Sequence, residues 1–405
     1  MKNIFLVVGG SVGHLPAIEK AKELGFKVLV VDREPDCIGS RVGDYFEQVD
    51  TLDVDGVIKI AKDYKVIGSF TMSSDLAVPT VCYVNEALDL PKQGTGIAEL
   101  VTDKHKMREQ FLKGEVHSPP FYVAHSYDDI KSIKTEIEQQ LLERAFIIKP
   151  VDSSGSRGVS KITSIEQVDE AFEIAKSFSN KSKVIIEGFV DGIEMGAQTF
   201  SYKGKMIYCF VHNDNVENLC PVGHSMPSEL DEKTVNRIQQ ECSKALASLG
   251  VENGPCNVDI ILSSSGEPFI IEIGARLGAT KLPELVEAST GVNLLSLAIQ
   301  AASGQRIEVK EVNSQKPTSC DVLYFKKNGV VSEVGNVEEL VQRYQPYQFS
   351  MKVEGNHPVT PLRSGQDHYG YVTFQCNSVK AAEEKCQRFL KELKDLINVK
   401  EETLV

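Results

Sequence analysis

Two acidic residues are spaced so that a β-hairpin would bring them together. Two runs with strand-like alternation flank the turn Ser-Ser-Ser-Gly-Glu-Pro at 263–268. If Leu262 pairs with Phe269, the register places Asp259 directly opposite Glu272. Directly opposed carboxylates lie ~5 Å apart at Cβ and repel each other, unless a divalent cation sits between them. Because Mg²⁺ prefers oxygen ligands, we predict a metal site at this pair.

The surrounding residues bear on this prediction. Arg276 continues the alternation beyond Glu272 and would point into the same volume. The alternative is a pair of exposed acids on a solvated strand face. The apolar residues Ile260, Phe269 and Ile270 make a fully solvated ribbon the weaker interpretation.

A second motif combines a lysine with a loop of small residues. The buried run Phe-Ile-Ile-Lys ends at Lys149, and a turn follows that contains Ser153, Ser154, Gly155, Ser156 and Gly158. Glycines let consecutive backbone N–H groups approach phosphate, and the lysine adds a compact positive charge. An ordinary hairpin turn with a surface lysine is the alternative. No Gly-Lys-Ser/Thr precedes a helix here, so this is not a Walker loop.

A third segment, 184–194, has a buried strand that runs into a short connection and a second strand. Such a crossing offers backbone groups to a purine edge and a carboxylate to ribose hydroxyls. The candidates are Glu187, Val190 and Glu194. A plain hairpin remains the alternative for this segment taken alone.

The elements that must position these residues belong to two kinds of architecture. Residues 1–95 alternate buried strands with helical segments, which predicts an open parallel sheet of the α/β class. Strands between 100 and 310 are separated by short turns, which favours antiparallel α+β pairing. The tail mixes short strands with one amphipathic helix. We predict domains at 1–97, 98–312 and 313–405.

Composition narrows the classes of function. The 405 residues carry a net charge of −13 without a basic stripe, so nucleic acid and anionic membranes are not expected partners. No run approaches the ~18 apolar residues of a spanning helix, and no signal peptide is recognised. The nine cysteines are scattered and lack a Cys-x-x-Cys pair, which predicts reduced thiols and a cytoplasmic protein.

The order of these motifs resembles the ATP-grasp superfamily, which includes biotin carboxylase, carbamoyl phosphate synthetase and purine-pathway ligases. Asp103-Lys104-His-Lys-Met-Arg108 is similar to its Asp-Lys-x-x-x-Arg lead-in, and Glu-x-Gly-Ala-Arg at 272–276 follows. The resemblance implies a pre-ATP-grasp domain, an ATP-grasp domain of two antiparallel lobes, and a small C-terminal α+β domain like that of biotin carboxylase.

The resemblance also implies ligands and roles. ATP would bind with Mg²⁺ or Mn²⁺, and Lys104 and Lys149 would contact its phosphates. Glu187 and Val190 would hold adenine, largely through the backbone, and Glu194 would hold the ribose. Asp259 and Glu272 would ligate the metal. Arg276 would steady an acyl phosphate.

One position departs from the superfamily pattern. An asparagine usually stands two residues after the metal-binding glutamate, but here the residue is Gly274. In the predicted register, Asn257 lies opposite Gly274. We hypothesise that the amide oxygen of Asn257, or a water molecule, replaces the missing ligand.

Substrate contacts are predicted at four positions, one of which is Arg276. His14 follows the glycines after the first strand, Ser74 lies at the end of a parallel strand, and His224 belongs to the polar segment 212–229. That segment is either a surface loop or a substrate-selecting loop. The glycines with Asp32 also permit a dinucleotide site, which we disfavour because their spacing is not Gly-x-Gly-x-x-Gly.

A zinc site is not expected, although Cys209-x-x-His212 followed by Cys220 and His224 imitates zinc spacing. Cys209 and His212 are three residues apart on one strand and would point to opposite faces.

These observations predict an ATP-dependent carboxylate–amine ligase that works through an acyl phosphate and acts on small molecules. The resemblance favours a homodimer. A bicarbonate-using carboxylase or carbamoyl-phosphate-type enzyme is one alternative, and a non-catalytic ATP-binding regulator is another.

Overall fold

The computed structural model describes residues 3–91, 95–141, 144–217, 220–363 and 367–401, and their strands form four sheets. Within these ranges no single helix has the length and apolar character of a membrane span, although the bent pair Leu282–Thr290 and Leu294–Ala302 meets those criteria when taken together.

The first region is an open parallel sheet. It contains, in chain order, β1 (Ile4–Val8), α1 (Leu15–Glu23), β2 (Lys27–Asp32), α2 (Ile38–Val42), β3 (Tyr45–Gln48), α3 (Val54–Tyr64), β4 (Ser69–Phe70) and α4 (Val78–Ala87). The strand order is β3-β2-β1-β4, and every pairing is parallel. Strand β1 is buried throughout because helices cover both faces, which explains its continuous apolar run.

The second region is a small antiparallel sheet covered by helices. It contains α5 (Lys104–Lys113), β5 (Phe121–Ala124), α6 (Tyr127–Leu141), β6 (Phe146–Pro150), β7 (Ser160–Ile162), α7 (Val168–Ser177) and β8 (Val184–Gly188). The strand order is β5-β8-β6-β7. Helices α6 and α7 supply Ile130, Ile137 and Phe172 to its core. Strand β5 was not predicted, because four residues are too few to establish an alternation.

The remaining elements build one large sheet and a small one. They are β9 (Gly192–Tyr202), β10 (Lys205–Glu217), β11 (Cys220–Met226), α8 (Glu232–Leu249), β12 (Gly254–Ser263), β13 (Pro268–Gly274), α9 (Leu282–Thr290), α10 (Leu294–Ala302), β14 (Thr318–Val322), β15 (Gly329–Val334), α11 (Val337–Tyr344), β16 (Gln348–Met351), β17 (Pro358–Val359), β18 (Gly370–Gln375), α12 (Val379–Asp395) and β19 (Ile397–Glu401).

The large antiparallel sheet has eight strands in the order β13-β12-β9-β10-β11-β14-β18-β16. Its last three strands follow residue 312, so this sheet continues into the tail. The small sheet, β17-β15-β19, lies wholly in the tail. The predicted fold class is confirmed, and the limits at 97 and 312 stay predictions.

Helix α8 determines which face of the large sheet is buried. Its residues Ile238 and Leu246 pack with Val258 and Ile260 of β12 in one core. Because side chains alternate along a strand, Asp259 must face the other way. That second face carries the candidate site.

The interpretation of 212–229 as a loop is wrong. Residues up to Glu217 continue β10, and β11 pairs with both β10 and β14 in the middle of the sheet. Polar side chains on both faces concealed these strands, because His212, Asp214 and His224 lie on one face and Asn213 and Ser225 on the other.

Candidate active site

The two acids of the predicted hairpin do meet. Asp259 pairs with Glu272 and Asn257 with Gly274, so the predicted pairs are confirmed. The predicted turn pairing is wrong by one residue, since Leu262 lies opposite Pro268. A β-bulge restores the register, because Asp259–Glu272 is followed by Ile260–Ile270 and leaves Ile271 as the extra residue. We call Asp259 and Glu272 the carboxylate pair.

The carboxylate pair is electrostatically asymmetric. Burial and the neighbouring Glu272 raise the pKa of Asp259 to about 7. Burial would also raise the pKa of Glu272, but Lys104 and Lys149 hold it below its ordinary value. The Lys104 Nζ atom lies 2.8 Å from a carboxylate oxygen of Glu272. The pair therefore presents one charged carboxylate beside one that gains a proton readily, which is how two acids at close range behave without a cation between them.

A fully buried arginine supports the bulge. Arg108 of α5 donates to the backbone carbonyl of Ile271 at 2.6 Å and forms an ion pair with Glu187 at 2.8 Å. Asp103 caps the same helix, because its carboxylate accepts from backbone N–H groups of the first turn. The Asp-Lys-x-x-x-Arg segment thus places Lys104 and Arg108 one helical turn apart, on the side that faces both sheets.

Glu187 holds Lys149 in place. The Nζ atom of Lys149 lies 2.6 Å from Glu187, and both side chains are buried. Burial would raise the pKa of Glu187, but Arg108 and Lys149 hold it below its ordinary value. Burial lowers the pKa of Lys149 despite this partner. The Glu187 side chain is therefore committed to two cations, which leaves only its backbone for the predicted contact with adenine.

The Ser/Gly loop lies beside these lysines. Gly155, Ser156 and Gly158 have φ values of 67°, 59° and 73°, which explains why glycine recurs there. Lys104 donates its Nζ proton to the carbonyl oxygen of Ser153 at 2.7 Å. Gly158 packs against Phe178, and a Cβ at that position would lie 3.0 Å from the Phe178 side chain. Gly158 therefore anchors the loop and does not line the cavity described next.

One cavity of about 250 Å³ collects most of the predicted residues. The lining includes Lys104, Lys149, Ser153, Ser154, Gly155, Ser156, Glu187, Val190, Glu194, Asp259 and Glu272. A cavity with clustered lysines, a turn of small residues and two acids can hold a phosphorylated ligand with its counter-ion.

The hypothesis for Asn257 meets a competing contact. Its amide oxygen accepts from Gln198 at 2.6 Å, and its amide nitrogen donates to Asp259 at 2.7 Å. The side chain thus turns its nitrogen toward the carboxylate pair, and a metal would have to displace the Gln198 bond to reach the oxygen. Nothing tests the ligand role directly, so it stays a prediction.

Gly274 leaves room for a residue of the first region. A Cβ at position 274 would lie 2.8 Å from Oδ1 of Asp75 and 3.2 Å from Cζ of Arg276. Asp75 follows β4 and forms an ion pair with Arg276 at 2.9 Å. Burial would lower the pKa of Arg276, but Asp75 raises it above the ordinary value. A side chain at 274 would have to displace the Asp75 and Arg276 side chains, so glycine at this position leaves room for their ion pair.

The residues predicted to contact substrate lie apart from the cavity wall. His14 is buried beside the first glycine turn, where Ser11 Oγ lies 2.9 Å from its Nδ1 and its ring fills the space beside Gly9. Ser74 is next to Asp75 in the chain. Asp32 accepts from the Gly10 backbone at 2.7 Å, so the acid of the dinucleotide alternative is used to hold the glycine turn.

His224 lies in a cluster with His212 and with Asp214, and the sequence did not suggest Asp214. His212 and His224 each place Nδ1 near Oδ1 of Asp214, at 2.8 and 2.5 Å. Cys209 faces the opposite side, beside Cys242 of α8. Cys209 and His212 therefore diverge as expected, whereas His212, Asp214 and His224 converge. We call these three residues the imidazole cluster.

A known protein family matches the part of the chain that carries this site. Residues 101–280 match the ATP-grasp domain family. The chain contains an ATP-grasp domain. The range runs from the residues before α5 to those after Arg276, so it holds the lysines, the Ser/Gly loop and the carboxylate pair.

Similar proteins extend beyond the ATP-grasp domain. The chain is 25% identical to an alanine–anticapsin ligase of Bacillus subtilis over 356 residues, which is 80% of this chain and 73% of that protein. It is 25% identical to a D-alanine–D-alanine ligase of Cupriavidus pinatubonensis over 257 residues, 57% of this chain and 73% of that one. The fold is like that of an L-amino acid ligase from Bacillus licheniformis, with a TM-score of 0.81, 22% identity and full coverage of both chains.

The family match and the two relatives confirm the predicted superfamily and class, an ATP-dependent ligase that forms C–N bonds. The solved structure, at 22% identity, confirms the fold. The roles of individual residues in the ATP-grasp domain remain predictions.

Several residues around the ATP-grasp site were missed from sequence. Arg108 belonged to the quoted lead-in motif, but nothing in the sequence showed that it reaches Ile271. Asp75 stood in the Ser-Ser-Asp segment at a strand end and carried that positional signal. Gln198 and Asp214 had no signal, because Asn257 and His224, which they contact, belong to adjacent strands of the large sheet.

Proposed function

We propose that this chain activates the carboxylate of an α-amino acid with ATP and joins it to an amine. The observation that carries this proposal is the single cavity in which Lys104, Lys149 and the Ser/Gly loop face the carboxylate pair. The γ-phosphoryl group passes to a carboxylate oxygen, and ADP leaves. The amine nitrogen then attacks the carbonyl carbon, the C–O bond to phosphate breaks, and the amine loses a proton.

The carboxylate pair fits a magnesium ion. Its two carboxylates lie opposite each other, and burial with mutual repulsion raises the pKa of Asp259, a repulsion that a divalent cation between the two would relieve. Asp259 and Glu272 would hold Mg²⁺, or Mn²⁺ in its place. When bound, the ion would neutralise charge on the phosphates of ATP.

The chain's own residues supply positioning and positive charge. Lys149 is held by Glu187, and Lys104 spans from the Ser153 carbonyl to Glu272. Both are fixed before ATP arrives, so little reorganisation is needed during phosphoryl transfer. Arg276 would neutralise the acyl phosphate, since its guanidinium lies on the same side of the hairpin as the carboxylate pair. The connection at Val190 would receive the adenine, and Glu194 the ribose.

The contact between Asp75 and Arg276 supports an amino acid as the carboxylate substrate. One oxygen of Asp75 is bound to Arg276, and the other is buried without a hydrogen-bond partner within the described residues. A substrate whose carboxylate reacts beside Arg276 would bring its α-ammonium group near this oxygen. The names of the relatives, which are ligases of alanine and of L-amino acids, point the same way.

A substrate panel with ADP release as readout tests the proposal. We expect ADP release to need an amino acid and an amine, with alanine far exceeding propionate. Bicarbonate with biotin or ammonia would reveal the carboxylase alternative. ATP binding without ADP release under any condition would favour a regulator.

Two substitutions test the site. Glu272→Gln and Lys149→Met should each lower ADP release by ~10²–10³-fold, because each removes charge stabilisation of the transferring group. Lys205→Met, an exposed lysine at the start of β10, is the matched control and should keep the wild-type rate. Circular dichroism would establish that the variants fold. If both folded variants released ADP at the wild-type rate, the proposed site would be wrong.

A further inference from the structure

The imidazole cluster gathers donor atoms from two neighbouring strands. His212 and Asp214 are two residues apart on β10 and share a face, and His224 on β11 lies directly opposite Asp214. Their ligand atoms all lie within 4.8 Å of one another. Both imidazoles point Nδ1 at the same carboxylate oxygen. Three donors thus converge on one point.

The charge at this point needs a partner. Asp214 is largely buried, with 14% of its side chain exposed. Its Oδ1 atom lies within hydrogen-bond distance of both imidazole Nδ1 atoms. Among the described residues, these imidazoles are its ion-pair partners, and no lysine or arginine lies within salt-bridge distance. A buried carboxylate is stable when it is paired or coordinates a metal. Either an imidazolium or a bound cation can supply that charge.

We infer that His212, Asp214 and His224 form a binding site for a first-row transition-metal ion such as Zn²⁺. Two imidazoles with one carboxylate are a donor set suited to these metals, whereas Mg²⁺ prefers oxygen ligands alone. The site is therefore chemically distinct from the carboxylate pair. It also assigns His224 to a metal and not to the substrate, and it reverses the expectation that zinc has no place here.

The present distances are close to those that a metal requires. The Nδ1–Oδ1 separations of 2.5 and 2.8 Å are hydrogen-bond lengths. Ligands at ~2.0–2.1 Å from a tetrahedral Zn²⁺ are roughly 3.3 Å apart, so the side chains need to separate by less than ~1 Å. Each neutral imidazole would carry its proton on Nε2 when Nδ1 binds the metal. The Nε2 atom of His224 is buried without a hydrogen-bond partner among the described residues, so a proton there would need a water molecule as acceptor. The Nε2 atom of His212 lies 3.4 Å from the amide nitrogen of Gln198, a contact that this ring would give up on binding the metal.

The neighbourhood suggests what a metal would do. Asp214 lines the cavity of the ATP-grasp domain together with Glu194. Partial burial and the nearby Asp214 raise the pKa of Glu194, and a cation at the cluster would relieve that repulsion. By joining β10 to β11, the ion would also make the cavity wall near Asp214 and Glu194 more rigid. Its role is structural and electrostatic.

Metal titration of the full-length protein tests the inference. Chelator-treated protein would be titrated with Zn²⁺ in excess Mg²⁺, and bound zinc measured by mass spectrometry after desalting. We expect about one Zn²⁺ per chain. His212→Gln and His224→Gln should each weaken binding by more than the ~10–100-fold that changes outside the ligand shell cost. Cys209→Ser, on the same strand but the other face, is the control and should bind like wild type.

A second measurement needs no variant. Co²⁺ added to wild-type protein should give visible absorption bands of a nitrogen-and-oxygen site, which one equivalent of Zn²⁺ abolishes, and Zn²⁺ should raise the midpoint of thermal unfolding. Failure of wild type to bind more Zn²⁺ than the His212→Gln/His224→Gln double variant would overturn the inference. So would Co²⁺ that binds without such bands. Both results are independent of ADP release, so they leave the proposed ligase reaction unaffected.

Discussion

The carboxylate pair and the imidazole cluster are two acidic centres on one face of one sheet. Glu272, Asp259, Gly196 and His212 are successive cross-strand neighbours from β13 to β10. Gly196 separates the two centres because it has no side chain, and a Cβ there would lie 2.2 Å from the His212 ring. Asp259 and Asp214 are both buried on this face, yet the pKa of Asp259 rises and the pKa of Asp214 falls.

The difference lies in where compensating groups come from. The carboxylate pair depends on Lys104, Lys149 and Arg276, which three separate segments deliver. Asp259 is compensated incompletely, and its pKa rises to about 7. Asp214 has imidazoles from its own hairpin within hydrogen-bond distance, and its pKa falls. An ionised buried acid thus destabilises the fold when its partners compensate its charge incompletely, and stabilises the fold when they compensate it fully.

The largest expected effect comes from the ion pairs that support the carboxylate pair. Glu187→Gln would leave Arg108 and Lys149 buried without their counter-charge, and we expect the free energy of unfolding to fall by ~3–5 kcal/mol. Urea denaturation measures this. Glu170→Gln, at an exposed position of α7, is the control and should change stability little. If Glu187→Gln lowers the free energy of unfolding by less than ~1 kcal/mol, the ion pairs with Arg108 and Lys149 do not stabilise this region.

Asp259→Asn should stabilise the metal-free protein. A folded-state pKa of about 7, against an ordinary value near 4, means that the ionised acid destabilises the fold increasingly between pH ~4 and ~7. The variant lacks this penalty, so its gain should be ~1.5 kcal/mol at pH 5 and up to ~4 kcal/mol at pH 8. Urea denaturation with chelator at both pH values measures it. An equal gain at the two pH values would contradict the assigned cause.

Asp214→Asn should have the opposite sign and a smaller size. Because the folded-state pKa is lowered, the ionised acid stabilises the fold above its ordinary pKa, and the effect is lost as pH falls through the folded-state value. We expect the metal-free variant to lose ~1–3 kcal/mol at pH 7.5, the cost of weakening a charged hydrogen-bond pair. The same denaturation series measures it. If Asp214→Asn stabilises the protein as Asp259→Asn is expected to, the two buried acids have the same effect on stability and the proposed contrast is wrong.

The sequence predicted what depends on short separations along the chain. A short turn ties Asp259 to Glu272, so the pair could be placed from alternation even though the turn pairing was wrong by one residue and the bulge was not foreseen. The Ser/Gly loop follows Lys149 directly, and the order of these motifs identified the superfamily. The same reasoning failed for β11, because His224 and Ser225 give this buried strand polar side chains on both faces, which is the composition of a loop.

Only the tertiary structure decided which distant residues complete these sites. Arg108 reaches a carbonyl 163 residues away, and Arg276 meets Asp75 across 201 residues. His212 and His224 converge because β10 and β11 adopt one register among many that their sequences permit. Alternation along a strand fixes which face a side chain occupies, and turns fix near neighbours. Contacts between separate segments depend on how whole sheets and helices pack, which no local pattern encodes.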